Sequence, residues 1–356
     1  MGVFDNILKA DESLFKNIDA LDFAFIPKII PYREDQQRRI ATAIEPLFQN
    51  RNGKNLIIHG LPGVGKTVAC KKVLQELEEK TDDIISIYIN CWKKNTSYKV
   101  VLEICHLIGY RFTQNKKTDE LFKELLKILN KKKVVFVFDE IDKPEDKDFL
   151  YTISEEVYRK TVILITNFKT FLSEMDDRVK SRLMPELIEF KPYNIEETKG
   201  ILKQRIEYAF YPDVWETSAF EEVVKKTAAL QDIRAGIHLL KDAGDLAESK
   251  AQRKITLEFS KQAISKIDDF GVLKSTDLKE EDKIILDIIK KHSESKIGEL
   301  YNHYKDAGGK SVYKTFQRKM KNFEEEGFVK LTKKKGEGGS TTIVEYKERT
   351  KKLDEF

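Results

Sequence analysis

The chain has 356 residues, with 64 lysines and arginines against 60 aspartates and glutamates, for a formal net charge of +4. That length suits two or three domains with separate cores, and 40% hydrophobic with 35% charged residues excludes a disordered or fibrous chain. The near balance of charge excludes a molecule that is basic all over, so any nucleic-acid contact must come from a local concentration of lysine and arginine. Cys70, Cys91 and Cys105 have no paired spacing such as C-x-x-C, which reads as core thiols in a reducing compartment and not as disulfides or a zinc site. No run approaches the ~20 apolar residues of a membrane span, so a cytoplasmic protein without a membrane partner is expected.

In chain order, the first half alternates short apolar runs with helical periodicity. NLIIH (55–59), ISIYIN (85–90), VVFVFD (134–139) and TVILITN (161–167) are rich in Val and Ile and read as strands buried on both faces of a parallel sheet. Between them, Thr67–Lys80, Tyr98–Ile108 and Asp119–Leu129 read as helices; the last repeats Leu121, Phe122, Leu125, Leu126 and Leu129 at three- and four-residue steps. The alternation predicts a doubly wound α/β core over 1–194. NIEETKGILKQRIEYAF then opens with an Asn cap and a Glu three residues on. With three further helical patterns it predicts an all-helical domain over 195–270. The polar stretch GVLKSTDLK (271–279) is expected to be an irregular linker within 271–280. Over 281–356, three helical patterns precede FVKLT and TTIVEY, which can pair across KKKGEGGS as a glycine-rich turn. Three helices and a hairpin make a winged helix.

GLPGVGKT (60–67) fits G-x-x-x-x-G-K-[ST] and falls between a predicted strand and a predicted helix. Gly60, Gly63 and Gly65, with Pro62 and Val64 between them, let backbone N–H groups turn toward phosphates, and the helix opening at Lys66, Thr67 and Val68 aims its positive end there. Lys66 is expected to reach the β- and γ-phosphates and Thr67 to hold Mg²⁺. The run VVFVFDEID delivers Asp139 and Glu140 to a strand's carboxyl end, where such sheets bind ligands. Asp139 suits the metal, and Glu140 suits the water that attacks the γ-phosphate. Asn167, at the end of the next strand, can hold that water. Asp142 reads as a cap or turn residue outside the site.

These residues resemble the AAA+ ATPases. The resemblance implies ATP/ADP and Mg²⁺ as ligands and assigns Asn167 the sensor-1 role. It makes Arg182, in DDRVKSRLMPELIEFKPY, a finger reaching a neighbour's nucleotide, with Arg178 as the competing residue, and it places Arg234, in DIRAGIHLL, on the γ-phosphate. IPYREDQQRRIATAIEPLF (30–48), YINC (88–91), EFKPY and the order lid-then-winged-helix are similar to the archaeal replication initiators of the origin recognition complex subunit one / cell division control protein six family. That likeness spans about residues 14 to 346. It implies that Tyr32 and Arg33 contact the adenine and ribose, and that a helical insertion near Tyr110–Leu129 contacts DNA together with the winged helix. Tyr32 departs from the histidine more usual in that box.

The DNA reading also has support in the residues. In SVYKTFQRKMKNF, Lys314, Arg318 and Lys321 share one helical face while Phe316, Met320 and Phe323 can pack inward. Lys333, Lys334 and Lys335 beside Gly338 and Gly339 form a basic wing suited to phosphate. The family likeness predicts an ATP-switched initiator, nucleoid-associated, that binds origin duplex DNA, self-associates on it and helps load the replicative helicase. A signalling or loader ATPase whose winged helix contacts proteins is the alternative.

Overall fold

The computed structural model describes residues 13–276, 280–309, 311–325, 329–336 and 339–346. They divide into two compact units, split between Ser265 and Lys266.

The first unit begins with α1 (Glu34–Ile44), then β1 (Leu56–His59), α2 (Lys66–Lys80), β2 (Ile84–Asn90), α3 (Ser97–Leu107), α4 (Thr118–Leu129), β3 (Lys133–Asp139), α5 (Asp148–Glu156) and β4 (Lys160–Thr166). Two short helices, α6 (Phe171–Glu174) and α7 (Asp177–Leu183), lead to β5 (Glu186–Glu189). The five strands pair in parallel in the order β2-β3-β4-β1-β5. Because side chains alternate across a pleated strand, β3 sends Val134, Phe136 and Phe138 to one apolar layer and Val135 and Val137 to the other. α3, α4 and α5 fill the first layer through Val101, Leu125 and Phe149; α1 and α2 fill the second through Ile44 and Val73. A sheet covered on both faces needs continuous apolar strands, which is why those runs are legible. α5 had no clear periodic signal behind its polar start, yet Phe149, Leu150 and Ile153 bury one of its faces.

Four helices follow: α8 (Ile195–Ala209), α9 (Thr217–Leu230), α10 (Ile233–Ser249) and α11 (Leu257–Thr276). The predicted cap of α8 is present, with Asn194 Oδ1 accepting from Glu197 N at 2.8 Å and Glu197 Oε2 accepting from Asn194 N at 2.9 Å. The irregular linker expected from residue 271 is instead helical as far as Thr276. Polar composition alone does not stop a helix, and Gly271 lies inside this one without ending it.

The second unit continues through α12 (Glu280–Lys291), β6 (Ser295–Lys296), α13 (Ile297–Asp306), α14 (Tyr313–Glu325), β7 (Val329–Gly336) and β8 (Gly339–Tyr346). β8 pairs antiparallel with both β6 and β7, completing a winged helix. Ile285, Leu300, Tyr304, Phe316, Met320 and Val344 meet in its core. The hairpin is tighter than the expected turn. Its ladder runs to Gly336 opposite Gly339, so Lys333, Lys334 and Lys335 lie on β7, in register with Thr342, Thr341 and Ser340.

Candidate nucleotide site and nucleic-acid face

The loop after β1 is shaped by close approaches. A Cβ on Gly60 would lie 2.3 Å from Phe190 O, and one on Gly63, at φ +76°, would lie 1.9 Å from Asp232 Oδ1. Gly65 has φ 89° and no side chain caps α2 behind it, which leaves the helix's first N–H groups for an external anion. Lys66 is buried, and its Nζ donates to Gly60 O at 2.7 Å, Leu61 O at 2.8 Å and Asn167 Oδ1 at 2.8 Å. Burial lowers its pKa to about 8, against the opposing pull of Asp139 and Glu140.

Thr67 Oγ1 donates to Asp139 Oδ2 at 2.7 Å. The same oxygen accepts from Tyr88 at 2.7 Å, an anchor that the sequence reading missed because Tyr88 sits inside an apolar strand. Burial next to Asp139 raises the tyrosine's pKa, so its hydroxyl stays a donor. Glu140 has a left-handed backbone, φ 58°, a conformation costing roughly 1–3 kcal/mol in a non-glycine residue. Burial, with the charges of Asp139 and Asp142, raises its carboxyl above the ordinary value.

One cavity collects Pro62, Gly63, Gly65, Lys66, Thr67 and Val68 from the loop, Asp139 and Glu140 after β3, and Asn167 after β4. Arg234 also lines it, though its Nε and Nη2 hold Asp232 at 3.0 and 2.7 Å. Lid and loop touch, since Ile233 N donates to Gly63 O at 3.4 Å.

Four expected residues stand elsewhere. Gly60 backs onto Phe190 and Val64 is buried in the core, so each shapes the loop from behind. Tyr32 and Arg33 are not on the cavity wall. Tyr32, at φ 64°, sets its hydroxyl against Gly200 on α8. Arg33 is buried, donates to Val64 O at 3.1 Å and to Lys191 O, and stacks 3.8 Å over the Tyr193 ring. Its guanidinium knits the phosphate loop to the segment after β5.

The apolar end of the cavity comes instead from 23–31, before α1, and from Ile201, Gln204 and Arg205 of α8. Buried Arg205 donates to Ala20 O at 2.9 Å and to Phe25 O at 3.3 Å, fastening that segment to the lid. No motif marks these residues, because backbone and aliphatic carbon make this wall. Arg182 and Arg178 lie outside the cavity and are exposed; Arg182 Nε pairs with Glu155 at 2.7 Å and Arg178 Nη2 with Asp176 at 3.2 Å.

In the second unit, α14 exposes Lys314, Arg318 and Lys321 and buries Phe316, Met320 and Phe323, as its periodicity predicts. Gly338 lies outside the described residues, and Gly339 opens β8. In the first unit, α4 buries Leu121, Phe122, Leu125 and Leu129 in the core, and Phe112 in the loop before it is 77% exposed.

A family model described as an AAA domain matches residues 49–167, and one described as a Cdc6 AAA+ ATPase-type lid domain matches residues 199–265. An ORC1-type DNA replication protein 1 from Sulfurisphaera tokodaii is 34% identical over 281 residues, covering 73% of this chain and 69% of that protein. The chain belongs to the ORC1-type DNA replication protein family. A second ORC1-type relative, from Archaeoglobus fulgidus, is 31% identical over 334 residues, covering 87% of this chain and 80% of its own. The Aeropyrum pernix ORC1 protein, solved in complex with DNA, matches with a TM-score of 0.72 at 26% identity, over 95% of this chain and 94% of that one. The first unit is therefore an AAA+ ATPase core with its lid, and membership in the family accords with the winged-helix unit.

Proposed function

We propose that this ORC1-type protein is a replication initiator that binds origin duplex DNA in its ATP state, hydrolyses ATP slowly as a switch, and helps load the replicative helicase. The observation that carries the reading is the pairing of two built surfaces in one family member. One is a phosphate-shaped cavity in which Lys66, Asp139 and Arg234 hold provisional partners; the other is an exposed cationic face on α14. The structure of the Aeropyrum pernix relative in complex with DNA supports the second.

At the cavity, phosphate oxygens replace the three acceptors around Lys66 Nζ and take up the free N–H groups of α2. Thr67 and Asp139 suit Mg²⁺: their oxygens meet at 2.7 Å within the wall, with Tyr88 holding the carboxylate from behind. Held by Thr67 and Asp139, Mg²⁺ would supply neutralisation of the charge that develops on the phosphates. Glu140, the candidate catalytic residue, accepts the attacking water's proton on its carboxylate, a task favoured by its raised pKa. Asn167, released from Lys66, orients that water. Arg234 exchanges Asp232 for the γ-phosphate, so the lid reports which nucleotide is present. Arg182 or Arg178 acts in trans on a neighbouring copy's nucleotide, and this requirement keeps an isolated chain slow.

On DNA, Lys314 and Arg318 meet the duplex, with the β7 lysines and the loop carrying Arg111 and Phe112 as further contacts. The intact chain carrying Lys314→Glu and Arg318→Glu tests this. Duplex affinity at low salt is expected to fall at least about tenfold, and the slope of affinity against salt to drop by about two phosphate contacts. Unchanged affinity would assign the winged helix to protein contacts.

A further inference from the structure

The sequence marks Asp142 only as a cap or turn residue outside the site. Its side chain retains only 9% of its exposure, beside Lys143 Nζ at 3.2 Å from Oδ2. Its Oδ1 accepts the hydroxyl of Thr166 at 2.8 Å, and Thr166 is 1% exposed. Thr166 is the last residue of β4, directly before Asn167.

The backbone makes this contact informative. Pairing of β3 with β4 ends at Phe138 opposite Leu164. Beyond it the chain departs through Glu140, and returns to β4 where Ile141 N donates to Ile165 O at 3.0 Å. One residue later, Asp142 takes the Thr166 hydroxyl. Glu140 thus stands on an arch with one foot on β3 and the other tied twice to β4. The Thr166 oxygen also accepts from Phe168 N at 3.2 Å, bracketing Asn167 from both sides. Asn167 in turn holds Lys66 Nζ.

We propose that the Asp142–Thr166 hydrogen bond is a positioning tie that sets the spacing between Glu140 and Asn167, the two groups that must address one water molecule. It rests on the assignment of those two residues to hydrolysis. Asp142 lies outside the cavity, and Thr166, which lines it, spends its hydroxyl proton on Asp142. Its loss lets the arch and the strand end move apart without disturbing the phosphate loop, and a displacement of about 1 Å at a reacting centre can cost about 100-fold in rate. The tie therefore governs turnover and leaves nucleotide affinity alone.

The test uses the full-length protein and compares ATP hydrolysis with binding of a non-hydrolysable ATP analogue. Thr166→Val removes the hydroxyl at nearly constant shape. It is expected to lower kcat about 10- to 100-fold while KM and analogue affinity stay within about twofold. Thr166→Ser, which keeps the hydroxyl, should restore kcat. Asp142→Ala should match Thr166→Val, and the double variant should be no slower than either, because both break one interaction. Wild-type kcat in Thr166→Val, additive losses in the double variant, or equal losses of rate and affinity would overturn the tie. Glu140→Gln is the separate control. If it hydrolyses ATP like the wild type, the assignment of Glu140 fails and the tie falls with it; if only Glu140→Gln is slow, the tie alone is wrong.

Discussion

The two ends of the nucleotide cavity are built on opposite principles. At the phosphate end the principal cations and the metal-suited carboxylate are each held in place by another polar group. Lys66 has three oxygens, Asp139 two hydroxyls and Arg234 a carboxylate. At the other end the wall is mostly main chain and carbon, 23–31 against α8, secured by the buried Arg205 guanidinium and the Gln204 amide. Charge recognition needs particular functional groups at particular spacings, so that end carries motifs. An apolar wall needs only shape, which many side chains supply, so it carries none.

Substitutions should separate the two ends, beginning with the largest effect. Glu140→Gln is expected to lower ATP hydrolysis about 10²- to 10⁴-fold while binding persists, the range for losing a positioned general base; steady-state rates and equilibrium binding on the same sample check both halves. Lys66→Ala should weaken ATP binding about 10- to 100-fold, since a charge-assisted contact to phosphate is lost. Lys66 also predicts a pH dependence. Its free-state pKa of about 8 lies below the ordinary lysine value, and only the charged form suits phosphate, so binding takes up a proton above that pH. Affinity should therefore fall about tenfold from pH 7 to pH 9, and Lys66→Ala should flatten that fall. At the apolar end, Ile201→Ala removes one aliphatic contact among several and should weaken ATP binding only about tenfold or less. A loss there equal to that of Lys66→Ala would contradict the contrast.

The same division explains what could be read in advance. The strands announce themselves because burial on both faces demands continuous apolar runs, and Gly63, Lys66, Thr67, Asp139, Glu140 and Asn167 converge as their motifs require. α14 was legible because an exposed face and a buried face impose a 3.6-residue period. The bracing contacts of Arg33 were not legible, since a motif gives residue types but not direction: a guanidinium near a ligand can brace the loop that binds it. The bond from Thr166 to Asp142 was not legible because its two members lie on different segments, and a single side-chain contact between distant residues leaves no local pattern. β6 is too short, at two residues, to show any alternation.

The central claim is that the nucleotide in the first unit controls what the second does with DNA. Footprinting on genomic DNA with the intact Glu140→Gln protein tests it most directly, because ATP then stays unhydrolysed. We predict a localised footprint with ATP that weakens or changes boundaries with ADP, and that is lost with Lys314→Glu and Arg318→Glu. The same footprint in ATP, ADP and no nucleotide would contradict the account.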